Sequence, residues 1–138
     1  MKVKLLSPDA KAPTMAYKSD AGFDVYSPID TLIIRGTTKQ IKLGISIEVE
    51  PDEVAIMSER SGMAIKSGLT SVGNIVDSGY RGEVSIILAN FGQHDVDIHM
   101  GDKIGQIVVC KLGERKVEVV DELTPSERGE NAHGSSGK

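Results

Sequence analysis

Residues 40–50 alternate strictly between apolar and polar types. Ile41, Leu43, Ile45, Ile47 and Val49 fall on one face, with Lys42, Gly44, Ser46, Glu48 and Glu50 on the other. A period of two is that of a strand with one buried face. Residues 95–100 repeat it, with Val96, Ile98 and Met100 opposed to Asp95, Asp97 and His99. Shorter β-rich runs occupy 3–6, 31–34, 53–57, 83–89, 104–111 and 116–120. Between them stand turn formers such as Ser27-Pro28, Arg35-Gly36, Pro51-Asp52, Ser78-Gly79 and Gly101-Asp102. Many short strands at this spacing predict an all-β sandwich, jelly roll or barrel. A helical pattern occurs only at 61–66 (SGMAIK), barely two turns before Gly68 stops it. From Thr124 the chain carries no aliphatic residue larger than Ala132, so this stretch cannot bury itself. The expected organisation is one β domain over 1–123 and a flexible tail over 124–138, which by itself reads as a frayed terminus.

Length and composition narrow the function. At 138 residues with 39% hydrophobic types, the chain holds one ordinary core. Cys110 is the single cysteine, which excludes an internal disulfide and a four-cysteine zinc site. No window approaches membrane-spanning length, and the opening MKVKLLSPDA has only a short apolar stub before Pro8. A cytoplasmic protein without membrane contact is expected. The net charge is −4 and no basic run could track a nucleic-acid backbone, so no nucleic-acid binding is expected. A small anionic substrate would need local donors or a divalent cation to offset the acidity.

Five segments concentrate glycine with polar residues. In 21–27, Asp24 is a lone carboxylate among apolar neighbours, either a turn aspartate or a group that needs a cation. In 58–64, Arg60 and Ser61 stand at the start of the short helix and Gly62 permits close backbone approach; this is a phosphate cradle or an ordinary capped helix. The stretch 73–83 is hairpin-like, with Asp77 three residues before Tyr80. A carboxylate held there can act as general base toward water, and Tyr80 can wall a flat pocket; a plain turn aspartate is the alternative. In 101–109, Gln106 is an amide in an apolar run and needs partners. The tail supplies Arg128, His133, Gly134, Ser135 and Ser136, a set of phosphate-binding parts.

Together and in this order, the five segments resemble the five motifs of the homotrimeric deoxyuridine triphosphatase family, over about residues 21–137. The resemblance implies an all-β jelly roll that converts dUTP and water to dUMP and pyrophosphate with Mg²⁺. It also implies a trimer whose sites lie between subunits, closed by the tail. Carried over, Asp77 is the base that activates water for attack at the α-phosphorus. Asp24 supports the Mg²⁺ through bound water, while Arg60, Ser61 and Gly62 bind the phosphates with Gln106. Main-chain groups of Asn74, Ile75 and Val76 face the uracil edge, and Tyr80 packs under the deoxyribose. Arg128, Gly134, Ser135 and Ser136 clasp the γ-phosphate. The chain departs from the family at His133, where a phenylalanine usually stacks on uracil, and at Asn74, which replaces a glycine and is expected to tolerate positive φ. Glu59 stands for a frequent proline, Ala132 for a glycine and Ser136 for a threonine.

Two other readings compete. A dCTP deaminase of the same fold would need a glutamate on the strand after the third motif, where this chain runs Val84-Ser85-Ile86-Ile87-Leu88 with Glu83 only at its mouth. A jelly roll that binds nucleotide without turnover would keep the motifs but not their alignment.

Overall fold

The structure is a computed structural model and describes residues 1–132. Within them lie eleven strands and one helix: β1 (Lys2–Leu5), β2 (Gly22–Tyr26), β3 (Thr31–Ile33), β4 (Thr38–Lys42), β5 (Ile45–Glu48), β6 (Glu53–Ser58), α1 (Ser61–Ser67), β7 (Leu69–Val72), β8 (Ile75–Asp77), β9 (Ser85–Asn90), β10 (Val96–Ile98) and β11 (Lys103–Lys111). Nearly every pairing joins strands distant in sequence. The order β2-β11-β6-β8 forms one sheet and β4-β9-β7 a second, with β1-β5 and β10-β3 as flanking pairs. All pairs are antiparallel. Val25, Ala55, Met57 and Ile107 from the first sheet meet Ile41, Leu69, Ile86 and Leu88 from the second in one core. The fold is an all-β jelly roll with a short helix.

The alternating run at 40–50 buries the face its period predicts: Ile41, Leu43, Ile45, Ile47 and Val49 are all buried. It is nevertheless two strands rather than one. At Leu43-Gly44 the chain leaves β9, and β5 continues as the partner of β1. Gly44 makes that change with φ +66°, and a Cβ there would stand 2.8 Å from the Ala10 Cβ. Gly44→Ala combines left-handed strain with this overlap and is expected to destabilise the fold by about 2 kcal/mol, read as a lower urea midpoint. An unchanged midpoint would mean that the crossing does not depend on this glycine.

The strand predicted at 116–120 does not form. Among the described residues no strand pairs with it; Val117 and Val119 are 93% and 96% exposed. β-propensity is expressed only where a neighbour supplies the ladder and a surface to cover. The last strand ends at Lys111, and residues 113–132 are exposed. In β10, Ile98 is buried as predicted, but Met100 lies beyond the strand at 59% exposure.

Candidate active site

Register across the first sheet places Asp24, Gln106 and Ser58 in one row: Gln106 lies opposite Asp24 on one side and opposite Ser58 on the other. Residues directly opposed in antiparallel strands project to the same face, so the row is shared by three strands. Gln106 lies close over Gly22, where any Cβ would collide with its amide, and its Nε2 donates to the Glu59 carbonyl at 3.2 Å.

Asp24 is the electrostatic centre of this face. Its side chain is only 13% exposed, and each oxygen has a cation: Arg60 Nε lies 3.0 Å from Oδ1 and Lys103 Nζ 2.7 Å from Oδ2. This meets the condition for a carboxylate in such a setting. The hydrogen bond to Asp24 raises the Lys103 ammonium above its ordinary pKa. The charges of Arg60 and Lys103 are matched by those of Asp24 and Asp20 around an open cleft of about 350 Å³, lined by Tyr17, Asp20, Asp24, Arg60, Ser61 and Gln106. Ser61 opens α1, and Gly62 beside it is exposed, with open space where a Cβ would point.

Lys103 escaped the sequence reading for a physical reason. Gln106 lies three positions further along, an odd spacing, so strict alternation puts the two on opposite faces. A register irregularity between Lys103 and Gly105 resets the alternation, and both side chains reach the Asp24 face. The signal in the sequence was the Gly101-Asp102-Lys103 turn feeding a strand with a second glycine, Gly105.

A second cleft of about 190 Å³ gathers Ile75, Val76, Asp77, Tyr80 and Glu83. Asp77 ends β8 opposite Val54, and the Tyr80 N–H closes the turn onto the Asp77 carbonyl at 3.0 Å. The Tyr80 ring stands over Gly82, and its hydroxyl donates to the Glu83 carbonyl at 3.1 Å. The hairpin expected here is not one in its pairing. β8 pairs with β6, whereas β9 pairs with β4 and β7, so the chain crosses between sheets after Asp77. Positive φ falls on Gly73, and Asn74 takes an ordinary conformation, contrary to expectation. Among the described residues the buried Asn74 Oδ1 has no hydrogen-bond partner. Glu83 is committed: Oε1 accepts the Gly44 N–H at 3.1 Å and Oε2 lies 3.2 Å from Lys42 Nζ.

The two clefts do not merge within one chain. Asp77 sits opposite Val54, four residues along β6 from Ser58, on the edge strand three places from β2. Strand spacing and rise then put Asp77 roughly 20 Å from Asp24. Arg128 belongs to neither cleft; its guanidinium donates to the carbonyls of Asn131 and Ala132 at 3.0 and 3.3 Å. His133, Gly134, Ser135 and Ser136 lie outside the described residues.

Glu59, noted in the sequence only as a departure, ties the Arg60 loop to β7. Its Oε2 accepts the Ser71 hydroxyl at 2.6 Å and the Ser71 N–H at 3.1 Å, while its own N–H donates to Ser71 Oγ at 3.1 Å. These bonds hold the carboxyl below its ordinary pKa, the Ser71 hydroxyl contributing most. Among the described residues no three His, Cys, Asp or Glu side chains gather as a metal cage, and no helix is long and apolar enough to cross a membrane.

The profile of the dUTPase family matches residues 8–137. The chain is 41% identical to the deoxyuridine 5'-triphosphate nucleotidohydrolase of Clostridium tetani, over all of this chain and 97% of that protein. With the enzyme of the same name from Clostridioides difficile the identity is 42%, over 99% and 97%. Among solved structures, the G164S mutant of the Staphylococcus bacteriophage 80alpha dUTPase with dUpNHpp superposes with a TM-score of 0.93 at 26% identity, covering 99% of this chain and 98% of that one. The D95N mutant of the dUTPase from phage phi11 of S. aureus, described with a structural Mg(II) ion, matches in fold with a TM-score of 0.83 at 23% identity, covering 90% and 98%.

Proposed function

Because the chain belongs to the dUTPase family and is a dUTP nucleotidohydrolase, we propose that it works as a homotrimer in which Asp77 of one subunit faces the Arg60 cleft of another. The observation that carries this reading is the strand order and register that set Asp77 three strands and four residues away from the Asp24 row, a separation of roughly 20 Å from strand spacing and rise. A base that activates water at the α-phosphorus must lie next to the groups that hold the same phosphate chain, so a second copy has to bring the two clefts together. The sheet face that carries Asp77 also carries Ile75, 62% exposed, an apolar surface suited to a second subunit.

In this reading Asp77 accepts a proton from water as the water oxygen bonds to the α-phosphorus, and the α–β bridging oxygen leaves with pyrophosphate. Arg60 and Ser61 hold the phosphate chain, with Gln106 and the Gly62 main chain beside them. Lys103, brought to the site by the bulge, joins them. Uracil lies along β8. This is an edge strand, and Asn74 turns its carbonyl to Met57 of β6, so the alternation of ladder bonds points the Ile75 N–H and C=O outward. Tyr80 walls the sugar, and residues 124–138, with Arg128, His133, Gly134, Ser135 and Ser136, close over the triphosphate.

The donor set fits a magnesium ion that arrives on the triphosphate rather than one caged by the protein, since both Asp24 oxygens already face cations. When bound, the ion offsets phosphate charge. Asp24, freed if Arg60 and Lys103 turn to the phosphates, is the residue that would hold it, through water.

A nucleotide panel tests the reading: dUTP, dCTP, UTP and dTTP, each with Mg²⁺ and with products separated. Pyrophosphate and dUMP from dUTP alone are expected. Ammonia from dCTP would indicate the deaminase; against that, β9 holds no acidic residue and Glu83 is paired. No turnover of any nucleotide would indicate a binding protein.

A further inference from the structure

We propose that Glu59 and Ser71 form a clasp that sets the Arg60-Ser61 loop for the triphosphate, with Glu59 a positioning residue that acts through its neighbours. The inference rests on the reading that Arg60 and Ser61 bind phosphate. Three hydrogen bonds join the two residues, two of them to a carboxylate oxygen. Ser71 is only 7% exposed, and its hydroxyl both donates to and accepts from Glu59. Bonds to an ionised acceptor are the stronger kind, and a half-buried carboxylate left without them pays a desolvation cost.

The clasp acts on the main chain that carries Arg60. Glu59 precedes Arg60 and α1, and Ser71 follows α1 on β7, so the pair ties the two ends of the helical turn together. The helix buries no residue and has no side-chain bond at its N-cap, Arg60. Met63 packs against the core and the Arg60 side chain pairs with Asp24; the clasp adds to these by fixing the backbone from which Arg60 projects. From the same residue, the Glu59 carbonyl accepts Gln106 Nε2 at 3.2 Å and the Ser58 hydroxyl at 3.3 Å. Glu59 thus aligns Arg60 through the backbone and Gln106 through its carbonyl, two groups on the phosphate side of the cleft and none on the uracil side. A tie that only joined β6 to β7 would show in stability and leave ligand preference untouched.

The test compares affinities for α,β-imido-dUTP and dUMP, with thermal unfolding alongside, in the full-length protein. Ser71→Ala and Glu59→Ala are each expected to weaken imido-dUTP binding by about tenfold and dUMP by less than about twofold. The double variant is expected to lose no more than either single one, because both remove the same interaction. Glu59→Gln keeps an acceptor of the same length and is expected to recover most of the affinity, which also guards against poor folding of the alanine variants. Equal weakening of both ligands, or a lower melting temperature with unchanged affinities, would overturn the clasp. Arg60→Gln separates the two layers. If it leaves imido-dUTP affinity intact, the phosphate-binding reading is wrong; if it weakens binding while Ser71→Ala does not, the clasp alone is wrong.

Discussion

Asp77→Asn is expected to lower dUTP turnover by roughly 10²- to 10⁴-fold while nucleotide affinity stays nearly constant. The substitution removes basicity and changes little else. Among the described residues the Asp77 carboxylate has no side-chain hydrogen bond or ion pair to lose. The contacts that place it are main-chain ones, the ladder to Val54 on β6 and the Tyr80 N–H on its carbonyl, and asparagine keeps both. Single-turnover pyrophosphate release measures the loss, and imido-dUTP titration checks the affinity. Substantial residual turnover would assign the base elsewhere. Mixing this variant with Arg60→Gln sharpens the test of the trimer. If the two residues serve the same site from different subunits, mixed assemblies contain some sites with both wild-type groups and regain activity that neither variant shows alone.

Deleting everything after Pro125 is expected to leave a folded protein whose kcat/KM for dUTP falls by about 10²-fold, the scale of a lost positioning contribution. Little stability is at stake. The last strand ends at Lys111, and the ties that follow it, Leu112 N–H to the Asp52 carbonyl and Arg115 to the Pro51 carbonyl, lie upstream of the cut. Described residues beyond the cut are all exposed, and Arg128 bonds to carbonyls of its own segment. Circular dichroism melts and steady-state kinetics separate the outcomes. A collapsed melting temperature would make the tail structural, and full activity would remove it from the site.

Local chemistry was legible in the sequence wherever it depends on residues near one another along the chain. The pleat repeats every two residues whatever the strand pairs with, so the buried face of residues 40–50 could be read directly. The short helix and its stop at Gly68 were equally local. Asp24 could be marked as a carboxylate in need of cations because its apolar neighbours adjoin it in sequence. Which cations answer was a tertiary decision: Arg60 comes from the loop after β6, and Lys103 comes from a bulge that exists only because β11 pairs with β2.

The same division explains the misses. Residues 116–120 have a strand's composition, yet a ladder needs a neighbour that none of the described residues offers. The stretch around Asp77 resembles a hairpin, but its two arms find partners in different sheets. Residue types and their short-range periods thus determined the chemical inventory and the faces. Pairing register decided distance, because hydrogen bonds between strands far apart in the chain are what bring Asp24, Gln106 and Ser58 into one row and hold Asp77 away from them.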